Sequence, residues 1–137
     1  MARYRWQKQR GAVAVEFVLI SGILFLLLLM TFEIGLILNA QLILSSAARE
    51  GGRQASVDGG WSAEVEGLID ELLAIGRLEP NRAEVTVQPH QVVYGRPVRV
   101  TINYPYPVRS GLLRGLMASE IPLSAEVVSR SERLDDR

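Results

Sequence analysis

Cysteine is absent from the 137 residues, which removes disulfide scaffolds, thiolate zinc sites and cysteine nucleophiles from consideration. Histidine occurs once, as His90 in the turn-like stretch Gln88-Pro89-His90-Gln91, and reads as a solvent-exposed turn residue. Proline does not occur before Pro80, so nothing in the first 79 residues forces a helix to break. Charge is scarce over a long stretch: residues 12–48 carry only Glu16 and Glu33. The overall balance of 15 bases and 15 acids hides this layout. Residues 1–10 hold Arg3, Arg5, Lys8 and Arg10 with no acid, whereas residues 49–137 hold 11 bases and 13 acids. A basic head, an apolar rod and a polar domain do not describe a simple soluble enzyme. The polar part is slightly acidic and has no basic stripe, which argues against a nucleic-acid binder.

The rod, Gly11 to Ala48, reads GAVAVEFVLISGILFLLLLMTFEIGLILNAQLILSSAA. A spanning helix needs about 20 mostly apolar residues. Glu16 and Glu33 lie 17 positions apart, roughly 25 Å along a helix, so one carboxylate can sit near each edge of a hydrocarbon core. The transmembrane part is placed at about 12–38. The positive-inside rule keeps the basic head in the cytoplasm and sends the C-terminal domain outward. A secretory signal peptide would need a shorter apolar stretch ending at a cleavage site; here the apolar stretch runs on into helical sequence. A continuous helix over 12–55 would be about 66 Å long, and the part beyond the ~30 Å needed for a bilayer must project and carry something. A carboxylate inside an apolar stretch costs a few kcal/mol unless it is paired. Glu16 therefore calls for a cation from outside its own helix, or else snorkels to the headgroups.

Gln9-Arg10-Gly11 followed by Ala12-Val13-Ala14-Val15-Glu16-Phe17 resembles the class III leader of type IV pilins. In such leaders a basic head ends in glycine, the prepilin peptidase cuts after it, and glutamate is the fifth residue of the mature chain. The resemblance thus implies cleavage between Gly11 and Ala12, with Glu16 at mature position five. Glu16-Phe17 is similar to the tight-adherence branch. Phe32-Glu33-Ile34-Gly35 and Ala47-Ala48-Arg49-Glu50-Gly51-Gly52-Arg53 look like the signature helix of the TadE-like family of minor pilins, or pseudopilins. The resemblance marks Glu16 and Phe17 as subunit-assembly residues, and Glu33, Gly35, Arg49, Glu50 and Arg53 as the helix motif. It also implies a partner for Glu16, the free amine that cleavage would create on Ala12 of a neighbouring subunit. Gly52 stands where the family's AREGAR-like run has alanine. A glycine pair costs up to ~1 kcal/mol per residue in a helix, so a bend or end is expected near Gly51-Gly52.

Residues 56–137 form the exposed domain, large enough for one core with the rod packed against it. Asp58-Gly59-Gly60 is a turn. Ser62 caps a helix whose stripe is Val65, Leu68, Ile69, Leu72 and Leu73, bounded by Gly76 and Pro80. Glu64, Glu66, Asp70 and Glu71 read as its solvated side, not as a metal site. Three period-two patterns then predict a half-buried antiparallel sheet: Val85 and Val87; Val98, Val100, Ile102 and Tyr104; Ile121, Leu123, Ala125 and Val127. The first two form a hairpin through Pro89 to Pro97, and Tyr104-Pro105-Tyr106-Pro107 ends the second strand. Ser110 to Ala118 is a short helix or loop, and the tail 129–137 is expected to fray. Tyr94, Tyr104 and Tyr106 read as packing residues, in preference to a sugar platform.

The expected fold is α+β and pilin-like: a long N-terminal transmembrane helix carrying a small antiparallel sheet of three or more strands with one or two short helices. There is no phosphate loop, nucleophile elbow or histidine–carboxylate motif, so no catalytic residue, metal or cofactor is expected. The resemblance implies a structural minor pilin or pseudopilin, since the major pilin of such systems is usually much shorter. Its implied partners are other pilins and pseudopilins, the prepilin peptidase and an inner-membrane assembly platform, with no nucleic acid or small-molecule substrate. The implied place is the bacterial inner membrane, with the domain periplasmic, and the pilus or cell surface after assembly. The alternative is an unprocessed single-span membrane protein whose outer domain binds a ligand or partner. A secreted enzyme, cut beyond the rod, is a third reading.

Overall fold

The computed structural model describes residues 3–91, 93–115 and 118–132, with the backbone alone at 3–10 and 12. The fold is α+β. Helix α1, Arg3–Asp58, is followed by helix α2, Ala63–Ile75, a 3-10 turn at Pro80–Arg82, strand β1, Glu84–Gln88, and strand β2, Pro97–Pro107. The one-turn helix α3, Gly111–Arg114, precedes strand β3, Glu120–Arg130. The strands form an antiparallel meander in the order β1-β2-β3.

Helix α1 runs 56 residues without a break, about 84 Å at 1.5 Å per residue. Between Val13 and Phe32 no described side chain is buried, although the residues are almost all apolar. Beyond Phe32 the same helix becomes a wall of the core through Ala40, Leu44, Ala47, Ala48 and Ala55, with Leu36, Ile37 and Ile43 packed at its margin. The helix does not end at Gly51-Gly52 but runs on to Asp58. Both glycines are buried helical residues. A Cβ on Gly51 would stand 2.7 Å from Ile69 Cδ1, and one on Gly52 would stand 3.1 Å from Val127 Cγ1 and Ser129 Oγ. The pair is a notch that admits α2 on one side and β3 on the other. The packing gained there offsets the helix propensity lost.

Helix α2 starts as expected: the Ser62 hydroxyl accepts from the Val65 N–H, and Val65, Ile69 and Leu73 are buried. It folds back along α1, with Ile69 against Gly51 and Gly76 so near Ile43 that a Cβ would come within 2.5 Å of Ile43 Cγ2. The left-handed residue of its C-terminus is Arg77, φ 60°, not a glycine. The Leu78 N–H reaches back to the Leu73 carbonyl and the Arg77 N–H to that of Ala74, which is the Schellman pattern. Gly76 therefore serves packing and Arg77 makes the turn.

In β2 the side chains of Val98, Val100, Ile102, Tyr104 and Tyr106 alternate into the core. Val85 and Val87 of β1 lie opposite Ile102 and Val100, which face Ala125 and Val127 of β3 on the other side. The strand was expected to end at Tyr104-Pro105-Tyr106-Pro107, but it continues to Pro107. Pro105 pairs with Pro122 of β3. Neither has an N–H to give, so the pair must be a non-hydrogen-bonded one, with its backbone groups turned away from the partner strand. On that side of β2, β1 has already stopped, its Glu84 pairing with Asn103. The Pro105 carbonyl accepts from Arg82 Nη2 at 3.2 Å instead.

Tyr104 and Tyr106 are packing residues, 3% and 2% exposed. Burial raises the Tyr106 phenol above its ordinary range. Tyr94 is exposed. His90 is exposed as expected, with its ring edge-on to Trp61 and its carbonyl accepting from the Trp61 N–H. The start of the tail does not fray. Ser131 is buried, exchanging backbone bonds with Gly95 and Arg96, and the Glu132 N–H reaches the Ser56 carbonyl. Residues 133–137, and residues 116–117 of the expected 110–118 segment, lie outside the described residues.

Candidate assembly and anchoring site

The residues marked for assembly sit on the bare half of α1. Gly11 lies inside the helix with nothing within 4 Å of where a Cβ would stand. The side chain of Ala12 is outside the described residues. Glu16 is exposed and borders a shallow open groove with Gly11, Val15, Leu19 and Ile20. Phe17 beside it is 70% exposed. Among the described residues Glu16 has no hydrogen bond or ion pair. The groove presents a carboxylate in an apolar frame, which can do one thing chemically: accept a cation or donor from another molecule.

Glu33 behaves differently. It is 5% exposed, the first buried residue of α1 among the described side chains. Its two carboxylate oxygens accept from the backbone N–H groups of Arg109, at 2.8 Å, and Ser110, at 3.1 Å. Those N–H groups lie at the start of α3, where Ser110 caps the turn through Leu113, so they have no helical acceptor of their own. Higher up, Gln41 Nε2 donates to the Ser124 carbonyl of β3 at 2.8 Å. Sequence reasoning placed Glu33 at a membrane edge and missed both docking contacts. An acid in an apolar helix, together with a Ser-Gly helix start downstream, was the available signal for the first.

Glu33→Gln tests the dock. An amide offers one acceptor oxygen, so one of the two N–H groups would face a donor, at a cost on the order of 1–3 kcal/mol. The amides of Arg109 and Ser110 should then exchange faster with solvent than in the parent. Unchanged exchange would show that the carboxylate does not hold this loop.

The remaining motif residues divide by face. Ala47, Ala48, Gly51 and Gly52 point into the core, while Gly35, Arg49 and Arg53 are exposed and Glu50 half-buried. Arg53 Nη2 and Glu50 Oε1 are 2.6 Å apart. The hydrogen bond from Arg53 lowers the Glu50 carboxyl, and the same bond raises the Arg53 guanidinium. A local pair this exposed adds little stability. The run therefore combines small residues for close helix packing with a charged outer edge. Among the described residues no three His, Asp or Glu side chains group as metal ligands.

Helix α1 is long and apolar enough from Val13 onward to cross a membrane, by length and composition. No curated protein and no solved structure matches the chain. Residues 11–53, from the expected cleavage glycine through the Gly51-Gly52 notch to Arg53, match the family model described as TadE-like protein.

Proposed function

We propose that this protein is a structural minor pilin or pseudopilin that takes part in initiating or capping a tight-adherence pilus, processed by a prepilin peptidase after Gly11. The observation that carries this reading is the TadE-like match over a helix whose only bare carboxylate, among the described residues from 13 to 32, is Glu16. Removal of residues 1–11 would take away the +4 head and leave an ammonium on Ala12, with that carboxylate at mature position five. In a bundle of such helices, the amine of one chain would find the Glu16 of the next. The function is assembly, not catalysis; its partners are other pilins, the peptidase and the membrane platform. The head lies in the cytoplasm and the α2–sheet domain in the periplasm.

The mature chain isolated from membranes should begin at Ala12 by mass. Gly11→Trp should retain the full leader, because the indole fills a peptidase subsite that takes a small residue. The open space around Gly11 means that the substitution leaves the fold alone. A Gly11→Trp chain of normal mature mass would end the processing reading.

A further inference from the structure

The loop docked by Glu33 also has an outward side. We propose that Val108–Arg114 is a membrane foot, which seats the exposed domain on the anionic headgroups of the bilayer that α1 crosses. The inference rests on the membrane-anchored reading of α1 and adds to it a second, peripheral contact.

Three observations converge on this segment. The first is its level. Glu33 is 21 positions from Ala12, roughly 32 Å along the helix, close to the ~30 Å of a hydrocarbon core. The N–H groups of Arg109 and Ser110 bind Glu33 directly, so the foot leaves the helix at the height of the outer headgroups. The second is charge. Residues 108–119, VRSGLLRGLMAS, hold two arginines and no acid. Arg82, Arg99 and Arg53 each lie on a carboxylate, of Glu120, Glu126 and Glu50. Arg109 and Arg114 are exposed and have no ion-pair partner among the described residues, a state they share with Arg49, Arg77, Arg96 and Arg130; what sets them apart is their place at the level of Glu33.

The third is the way the turn splits its leucines. Leu113 is buried, and Leu112 next to it is 55% exposed. Arg114 closes the turn by donating to the Val108 carbonyl at 2.8 Å, and the backbone of Arg109 is pinned at Glu33. The foot is therefore a fixed shape, not a loose loop. An outward leucine between two arginines suits the boundary where acyl chains meet phosphates: the leucine enters the acyl edge, the Arg109 guanidinium reaches the anionic layer, and Arg114, held at the Val108 carbonyl through Nε and Nη2, adds its fixed charge beside it.

The test uses the full chain in lipid vesicles. Because the chain has no cysteine, Leu112→Cys, Leu24→Cys and Glu71→Cys each give a single site for a nitroxide. Depth is read from collision with oxygen against collision with a water-soluble nickel chelate, in phosphatidylcholine with and without phosphatidylglycerol. The label at 24 should lie in hydrocarbon, that at 71 in water, and that at 112 at the headgroup boundary, more fully when phosphatidylglycerol is present. Adding Arg109→Gln should lower the ratio of docked to undocked label at 112 by about fivefold in the anionic vesicles. A label at 112 as wet as that at 71, with 24 still in hydrocarbon, overturns the foot and leaves the anchor standing. A wet label at 24 overturns the anchor and the foot together. Shielding at 112 that follows the protein-to-lipid ratio and ignores phosphatidylglycerol assigns the surface to a neighbouring chain and overturns the lipid contact.

Discussion

Glu16→Gln should abolish incorporation with other pilins and surface piliation while leaving protein level, cleavage after Gly11 and the outer fold intact. The side chain is exposed and makes no hydrogen bond or ion pair among the described residues, so the amide takes no polar contact from the fold. Between subunits the change is severe. The ammonium of a neighbouring Ala12 would sit in an apolar frame of Val15, Leu19 and Ile20 without a counter-charge. Breaking a buried pair by removing one partner costs on the order of 3–5 kcal/mol, which shifts an association equilibrium by more than about a hundredfold. A snorkelling carboxylate, in contrast, would tolerate the amide, which is cheaper to bury and keeps hydrogen bonds. Electron microscopy of pili, at matched membrane levels of the two proteins, separates the cases. Normal piliation would reduce Glu16 to an interfacial residue and remove the main mechanistic support for assembly through this helix.

Ile102→Asp should unfold the exposed domain. Ile102 is fully buried at the centre of β2, with Val85 beside it on β1 and Ala125 on β3. An aspartate there has no cation to meet, and it also leaves a cavity where the branched side chain stood. Changes of this class exceed about 4 kcal/mol, against a total stability of roughly 5–15 kcal/mol for a domain. The far-ultraviolet signal of the long helix would mask the event, so the readout is amide protection in β2 of the full chain in detergent. Protection across Val98–Tyr106 should vanish in Ile102→Asp and persist in Ile102→Val, which costs only about 0.5–1.5 kcal/mol. Retained protection in the aspartate variant would mean that residue 102 does not face the core.

Much of this architecture can be read from residue order alone, and the exceptions share a cause. The Ser62 cap, the stripe from Val65 to Leu73 and the inward faces of the strands are local patterns, set by one residue's relation to its near neighbours. Sequence reading located them correctly. Gly51-Gly52, Pro105, Glu33 and Ser131 depend on what lies across from them, tens of residues away. Helix propensity says a glycine pair is weak; it does not say that Ile69 and Val127 need the space. Proline says a strand stops; it does not say that β1 has already ended on that side. The proposed assembly residues differ in kind. Gly11 and Glu16 lie on a single bare stretch of helix, so the reading of them rests on spacing along the chain and on no tertiary contact among the described residues.

The absence of any joint between anchor and domain has a mechanical consequence. Helix α1 is at once the apolar rod and a wall of the core, from Ala40 to Ala55, and it is tied to the sheet by Gln41 and to α3 by Glu33. A pull along the rod therefore does not stretch a tether. It loads the whole interface of α1 with α2 and the sheet in shear, with every contact strained at once. A close-packed interior transmits such strain with little give. A force applied to the N-terminal end of this molecule would arrive at its other end as displacement, and the domain would move with the helix as the head of a piston moves with its shaft.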